Sequence, residues 1–223
     1  MSSIKLKAIL TGATGMVGEG VLMECLKSIE VEEILVIGRR SCRASDPKLK
    51  ELIIPDLSDI SSIENLVQGY NACFFCAGVS SVGMKEPEYY SLTYTLTMNF
   101  ATTLSKINPG MTFCYVSGSG TDSSEKGRMM WAKVKGKTEN DLTKLPFKQV
   151  CNFRPGLMKP TPGQKNIPGF AKLILWIFPL LRAILPSFAC TLKEVGQAMI
   201  RVAGLSNDKK VFEVKDIVAL AKR

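Results

Sequence analysis

The spacing of apolar positions changes period several times along this chain, and each change marks an element. Ile4-Lys5-Leu6-Lys7-Ala8-Ile9-Leu10 carries apolar residues at every even position, the period of a strand. After a short turn, Val17, Val21 and Cys25 fall on one helical face, with Leu22 and Leu26 beside them. Residues 33–37 then read as a second strand, 52–57 as a third and 60–68 as a helix. A fourth strand over 72–77 precedes a long helix, 86–106, which Asn108-Pro109-Gly110 stops. A fifth strand (111–116), a helix (128–142) and a sixth strand (149–153) follow. Regular alternation of strand and helix predicts an α/β class chain with a doubly wound parallel sheet, whose ligands gather at the strand C-termini.

Beyond residue 156 the pattern loosens. Pro155, Pro160, Pro162 and Pro168 make an irregular stretch, and residues 170–186 are apolar on nearly every face. Lys172 and Arg182 shorten the uninterrupted apolar run, and Pro179 interrupts helical hydrogen bonding, so a membrane span is not expected there. Three readings of that stretch stand side by side: a roof over an apolar substrate pocket, a face for self-association, and a contact with a membrane surface. A helix over 193–203, a closing strand over 210–214 and a short helix over 216–222 finish the chain. A single domain over 1–223 accounts for all of this, with a core in 1–156 and a small substrate-side and closing region in 157–223.

The chemistry concentrates where strands end. Thr11-Gly12-Ala13-Thr14-Gly15-Met16-Val17-Gly18 joins the first strand to the first helix with Gly-x-x-Gly-x-x-Gly spacing. Glycines let a backbone turn tightly against a pyrophosphate, whose charge then sits among the unpaired N–H groups of a helix start. The second strand ends in Gly38-Arg39-Arg40, where an acidic residue would bind the ribose hydroxyls of NAD. Two arginines suit the 2′-phosphate of NADP instead, so NADP(H) is expected over NAD(H). Asp56, followed by Leu57, ends the third strand, either to meet the adenine amino group or to cap the next helix. Cys76-Ala77-Gly78 ends the fourth, where a cofactor backbone would pass closely.

Composition narrows the chemistry. The chain has no histidine among its 223 residues, which excludes histidine acid–base catalysis, Ser-His-Asp triads and histidine metal sites. Seven cysteines and the absence of a secretory signal before the first strand point to a reduced, cytoplasmic setting. Cys73 and Cys76 are spaced C-x-x-C inside an apolar run, and a strand sends residues three apart to opposite faces, so buried thiols are expected rather than a metal or redox pair. The formal charge of +9 favours anionic partners without choosing among nucleotides, nucleic acid and acidic lipid. No nucleic-acid signature accompanies it, and no nucleic-acid partner is expected.

With these carriers assembled, the chain resembles the extended or atypical branch of the short-chain dehydrogenase/reductase superfamily, a Rossmann-like fold. It is similar there to Tat-interacting-protein-like oxidoreductases and to proteins of the NAD-dependent epimerase/dehydratase type. The carriers are the glycine turn, Asp56-Leu57, Ser117-Gly118-Ser119, Lys135 and Arg154-Pro155-Gly156. The resemblance implies that a serine, Ser117 or Ser119, orients a substrate carbonyl or hydroxyl. It implies that Lys135 holds the nicotinamide ribose, and that Pro155 and Gly156 lie beside the cofactor. The proline-rich stretch after them would cover the nicotinamide. The family's proton-transferring tyrosine stands one helical turn before the lysine, and Trp131 occupies that position here. An indole N–H donates a hydrogen bond but releases no proton at ordinary pH. Tyr94, on the preceding long helix, is a second source of a phenol. Two functions follow: an NADP(H)-dependent oxidoreductase acting on a small apolar substrate, or a non-catalytic NADP(H)-responsive protein that engages a partner, a membrane surface or a second copy of itself.

Overall fold

The computed structural model describes residues 5–169 and 171–222, and the side chains of all of these except 171–176. Ile4, and from the apolar stretch 170–186 Phe170 and the side chains of 171–176, Lys172 among them, lie outside that set. Seven strands form one parallel sheet in the order β3-β2-β1-β4-β5-β6-β9. These are β1 (Leu6–Thr11), β2 (Val31–Gly38), β3 (Leu49–Ile53), β4 (Ala72–Phe75), β5 (Thr112–Val116), β6 (Gln149–Arg154) and β9 (Val211–Glu213). The order reverses between β1 and β4, the switch point at which doubly wound sheets open a crevice. Registers such as Thr11 to Phe75, Gly38 to Ile53, Val116 to Phe153 and Arg154 to Glu213 bring the strand ends to one edge.

Each face of the sheet buries its own core. On one face Val21, Leu22 and Cys25 of helix α1 (Met16–Lys27) meet Val195, Met199 and Val202 of α7 (Leu192–Gly204) and Ile217 of α8 (Val214–Ala221). On the other, Val67 of the single turn α2 (Glu64–Val67) packs with Phe100 and Leu104 of α4 (Leu96–Ile107) and Leu142 of α5 (Met130–Leu142). Strands covered on both sides need near-continuous apolar runs, which explains why β4 reads Ala72-Cys73-Phe74-Phe75 with every side chain buried.

Three expectations shift. The third strand lies at Leu49–Ile53 rather than 52–57, because Pro55 has no N–H to continue the ladder with β2. The long helix runs through α3 (Glu86–Tyr90) and α4 but passes through a π-helical segment, Ser91–Thr95, between them. The proline-rich stretch first forms β7 (Leu157–Lys159), which pairs with β8 (Ala189–Thr191) in a separate two-stranded sheet. Helix α6 (Ala171–Ile184) lies against that pair, with Pro179 inside it. Thr191 caps α7 through a reciprocal bond with Glu194. All seven cysteines are free thiols, and no group of metal-ligating side chains occurs among the described residues.

Candidate functional site

The glycine turn is shaped by what a side chain there would hit. Gly12 adopts φ +75°, and a Cβ on it would lie 2.6 Å from the carbonyl of Cys76. A Cβ on Gly18 would lie 2.1 Å from the Gly12 carbonyl oxygen. The turn therefore presses against the end of β4 and against its own helix as only glycines allow. Gly15 precedes α1 and offers no capping side chain, so the N–H groups of Met16, Val17 and Gly18 lack intrahelical partners. An anion can bind there.

A cleft of about 250 Å³ opens in front of this turn. Gly12, Thr14 and Gly15 form its floor, Arg39 and Arg40 one lip, Leu57 a second, and Cys76, Ala77 and Gly78 the wall towards β4. Ala13 and Gly38, both inside those sequence motifs, complete it together with Val36 of β2. Arg39 and Arg40 are exposed, and neither pairs with a carboxylate among the described residues. Asp56 is not among the residues lining the cleft: its carboxylate accepts bonds from the Ser58 N–H and hydroxyl at 2.8 Å, which hold its pKa low. Cys76 borders the cleft, and burial raises its pKa, so it presents a thiol and not a thiolate.

A second cleft of about 280 Å³ adjoins the first and shares Thr14 and Arg40 with it. Arg43, Lys165 and Asn166 line its far side. Arg43 was legible, three residues after Arg40; Lys165 arrives from a distant segment with no sequence signal. The tie is made by backbone. Glu19 accepts the N–H groups of Lys165 and Asn166 at 2.8 and 2.7 Å, while Gln164 donates to the Met16 carbonyl at 2.7 Å. Residues 161–166 thus strap the first turn of α1, beside the glycine turn.

The other predicted residues meet at the end of β5. Ser117 is buried, and its hydroxyl lies 2.9 Å from that of Thr121, which itself donates to the Gly118 carbonyl. Since Thr121 has only one proton, Ser117 is the donor between them. The Ser119 N–H donates to the Pro155 carbonyl, which joins β5 to the turn after β6. Gly156 makes room for the Phe188 carbonyl, 2.1 Å from where its Cβ would stand. The half-buried Lys135 reaches the same place: Nζ donates to the Ser117 carbonyl at 3.2 Å and to that of Val116 at 3.4 Å. Burial pushes its pKa down to about 8, with Glu139 pulling the other way. Glu139 is held by Arg154, which also reaches Glu213 and Ser123, so Arg154 locks α5 to the sheet edge.

Trp131 stands one turn before Lys135, and its six-membered ring lies over the loop after β5. A Cβ built on Gly118 or Gly120 would approach it to 3.9 or 3.5 Å. Tyr94 does not replace it. Its hydroxyl donates to Asp141 at 2.8 Å, beside Lys137, on a face of α5 turned away from Lys135. Burial and that carboxylate push the phenol up to about 12. Ile177, Leu180 and Ile184 of α6 are exposed and line neither of these two clefts.

Comparison with known proteins agrees with this geometry. The family model described as NAD dependent epimerase/dehydratase family matches residues 8–128, more than half of the chain. The protein FMP52, mitochondrial, of Eremothecium gossypii is 26% identical over 230 residues, covering 98% of each chain. Its namesake in Meyerozyma guilliermondii is 27% identical over 154 residues, 69% of this chain but only 65% of that protein's own length. The protein HTATIP2 of Rattus norvegicus is 23% identical over 96% of this chain and 88% of its own. Among solved structures, MoeE5 in complex with UDP-glucuronic acid and NAD superposes with a TM-score of 0.68 at 17% identity, covering 97% of this chain and 81% of that one. The cytoplasmic location expected from the cysteines and the missing signal does not stand, because the FMP52 relatives are mitochondrial proteins. By its matched core and by its relatives, the chain belongs to the NAD dependent epimerase/dehydratase family.

Proposed function

We propose that the chain binds NADP(H) in the cleft at the glycine turn and acts as a slow oxidoreductase on a carbonyl or alcohol. One observation carries this reading: Arg39 and Arg40 stand exposed and unpaired among the described residues, at the lip of a cradle that only glycines leave open. No carboxylate follows Gly38 to accept ribose hydroxyls. Arg43 and Lys165 extend the cationic lip into the adjoining cleft. A charge-assisted hydrogen bond contributes roughly 1.5–3 kcal/mol, enough for one or two of them to decide between the dinucleotides.

The chain's own groups divide the work. The unpaired N–H groups at the start of α1 receive the pyrophosphate, and the Lys135 ammonium holds the ribose. Ser119, whose side chain makes no hydrogen bond among the described residues, orients the substrate oxygen, with Ser117 behind it. A nicotinamide dinucleotide, when bound, supplies or accepts a hydride. What the chain lacks is a proton at the matching place, since Trp131 donates a hydrogen bond only and Tyr94 faces Asp141. Missing a positioned general acid costs about 10²- to 10⁴-fold in rate.

A second reading, an NADP(H)-responsive protein without turnover, is favoured by the indole of Trp131 resting on the serine-bearing loop. Mass spectrometry of natively purified protein, followed by NADPH oxidation over a panel of carbonyls, tests both. Bound NADP(H) with slow oxidation supports the first reading, and bound NADP(H) without oxidation supports the second. If no pyridine nucleotide co-purifies or binds on addition, neither survives. A mitochondrial location, shared with the FMP52 relatives, is the companion proposal, checked by cell fractionation.

A further inference from the structure

Helix α6 has two different faces. Inward, Phe178 is buried beneath the Lys159 ammonium, 5.6 Å from the ring centre, and Arg182 makes a two-pronged ion pair with Glu194 at 2.6 and 2.7 Å. These contacts fix the helix to β7 and to the start of α7. Outward, Ile177, Leu180 and Ile184 share one stripe at helical spacing, and Leu185 and Phe188 continue it past the helix end. All five are between 44% and 65% exposed, an unusual density of large apolar side chains within 12 residues.

Charge says what covers this stripe. From residue 142 to residue 193 the sequence has no aspartate or glutamate, yet it carries eight lysines and arginines. Lys144, Arg154 and Arg182 answer to carboxylates from outside that span and Lys159 covers Phe178, but the exposed Lys193, at the start of the helix that holds α6, pairs with none among the described residues. A second copy of the chain would bring the same cations against this surface, whereas an anionic surface would complement them.

We propose that the outer face of α6 seats the protein on an anionic lipid bilayer, with Leu180 and Ile184 entering the headgroup boundary and the exposed Lys193 meeting the lipid phosphates and carboxylates. The contact is interfacial. Fourteen residues make a helix of about 21 Å, short of the roughly 30 Å hydrocarbon core, and no helix among the described residues is long and apolar enough to cross a membrane. Apolar insertion and basic charge each bind weakly, and together they anchor.

Flotation of the full chain with phosphatidylcholine vesicles, with and without phosphatidylserine, is the test. The protein is expected to float with the anionic vesicles and to stay behind with phosphatidylcholine alone. L180D/I184D should lower the bound fraction at least about tenfold, and K193E severalfold, with the melting temperature unchanged. Should L180D/I184D fail to fold, K193E alone decides. Three results would overturn the proposal: no flotation with anionic vesicles, flotation of both variants at the wild-type level, or a wild-type dimer that L180D/I184D dissociates in the absence of any vesicle binding.

Discussion

The two ends of the sheet's carboxyl edge differ in how completely their polar groups are already engaged. At the β1–β2 end, the N–H groups of α1, Arg39 and Arg40 face an open cleft with no partner among the described residues. At the β5–β6 end, Ser117 bonds Thr121, Lys135 bonds two carbonyls, and an indole lies over the loop. One end is prepared for a ligand, and the other satisfies itself. On the proposed reading the difference makes binding and chemistry separable in this fold, because the groups assigned to the phosphates and those assigned to the substrate lie at the ends of different strands.

The largest expected change comes from restoring the missing acid. W131Y should raise NADPH-dependent carbonyl reduction by about 10²- to 10⁴-fold, measured as absorbance loss at saturating cofactor, provided the rest of the β5 end is intact. No gain would mean that the self-satisfied end is built for something other than hydride chemistry. G18A attacks the other end. A Cβ 2.1 Å from the Gly12 oxygen forces the turn apart, so dinucleotide affinity should fall by about 100-fold or more, with a lower melting temperature in thermal unfolding.

A smaller effect separates the two dinucleotides. R39A/R40A should weaken NADPH binding by roughly 10- to 100-fold and leave NADH within about twofold, as read by fluorescence titration. The smallest is a pH dependence. Because the folded pKa of Lys135 lies near 8, below its ordinary 10.5, burying the ammonium opposes folding below about pH 8, and that penalty fades as pH rises towards 10.5. Cofactor affinity runs the opposite way, since a phosphate-bearing ligand favours the charged form. The NADPH dissociation constant should therefore rise several-fold as pH climbs through about 8, and K135M should flatten the profile.

Much of this was legible in the sequence, for identifiable reasons. Apolar runs marked the strands because a doubly covered sheet needs them. Pro55 ended β3 earlier than the apolar count implied, since a missing N–H outweighs side-chain pattern. The π-helical segment at Ser91–Thr95 shifts the side-chain phase by about one residue in a single turn, too short a change to stand out from the apolar spacing. The strap at 161–166 was invisible for a similar reason: Glu19 recognises backbone N–H groups, which every residue but proline has. Arg154 looked like part of a cofactor motif, yet its contact with Glu139 is a tertiary pairing between β6 and α5.

Calorimetric titration of the wild-type chain with NADPH and with NADH, at one ionic strength and pH 7, tests the central claim most directly. The account predicts saturable heat with NADPH and an affinity for NADH weaker by roughly 10-fold or more, the weight of one or two charge-assisted bonds. Equal affinities, tighter binding of NADH, or no heat with either would contradict it.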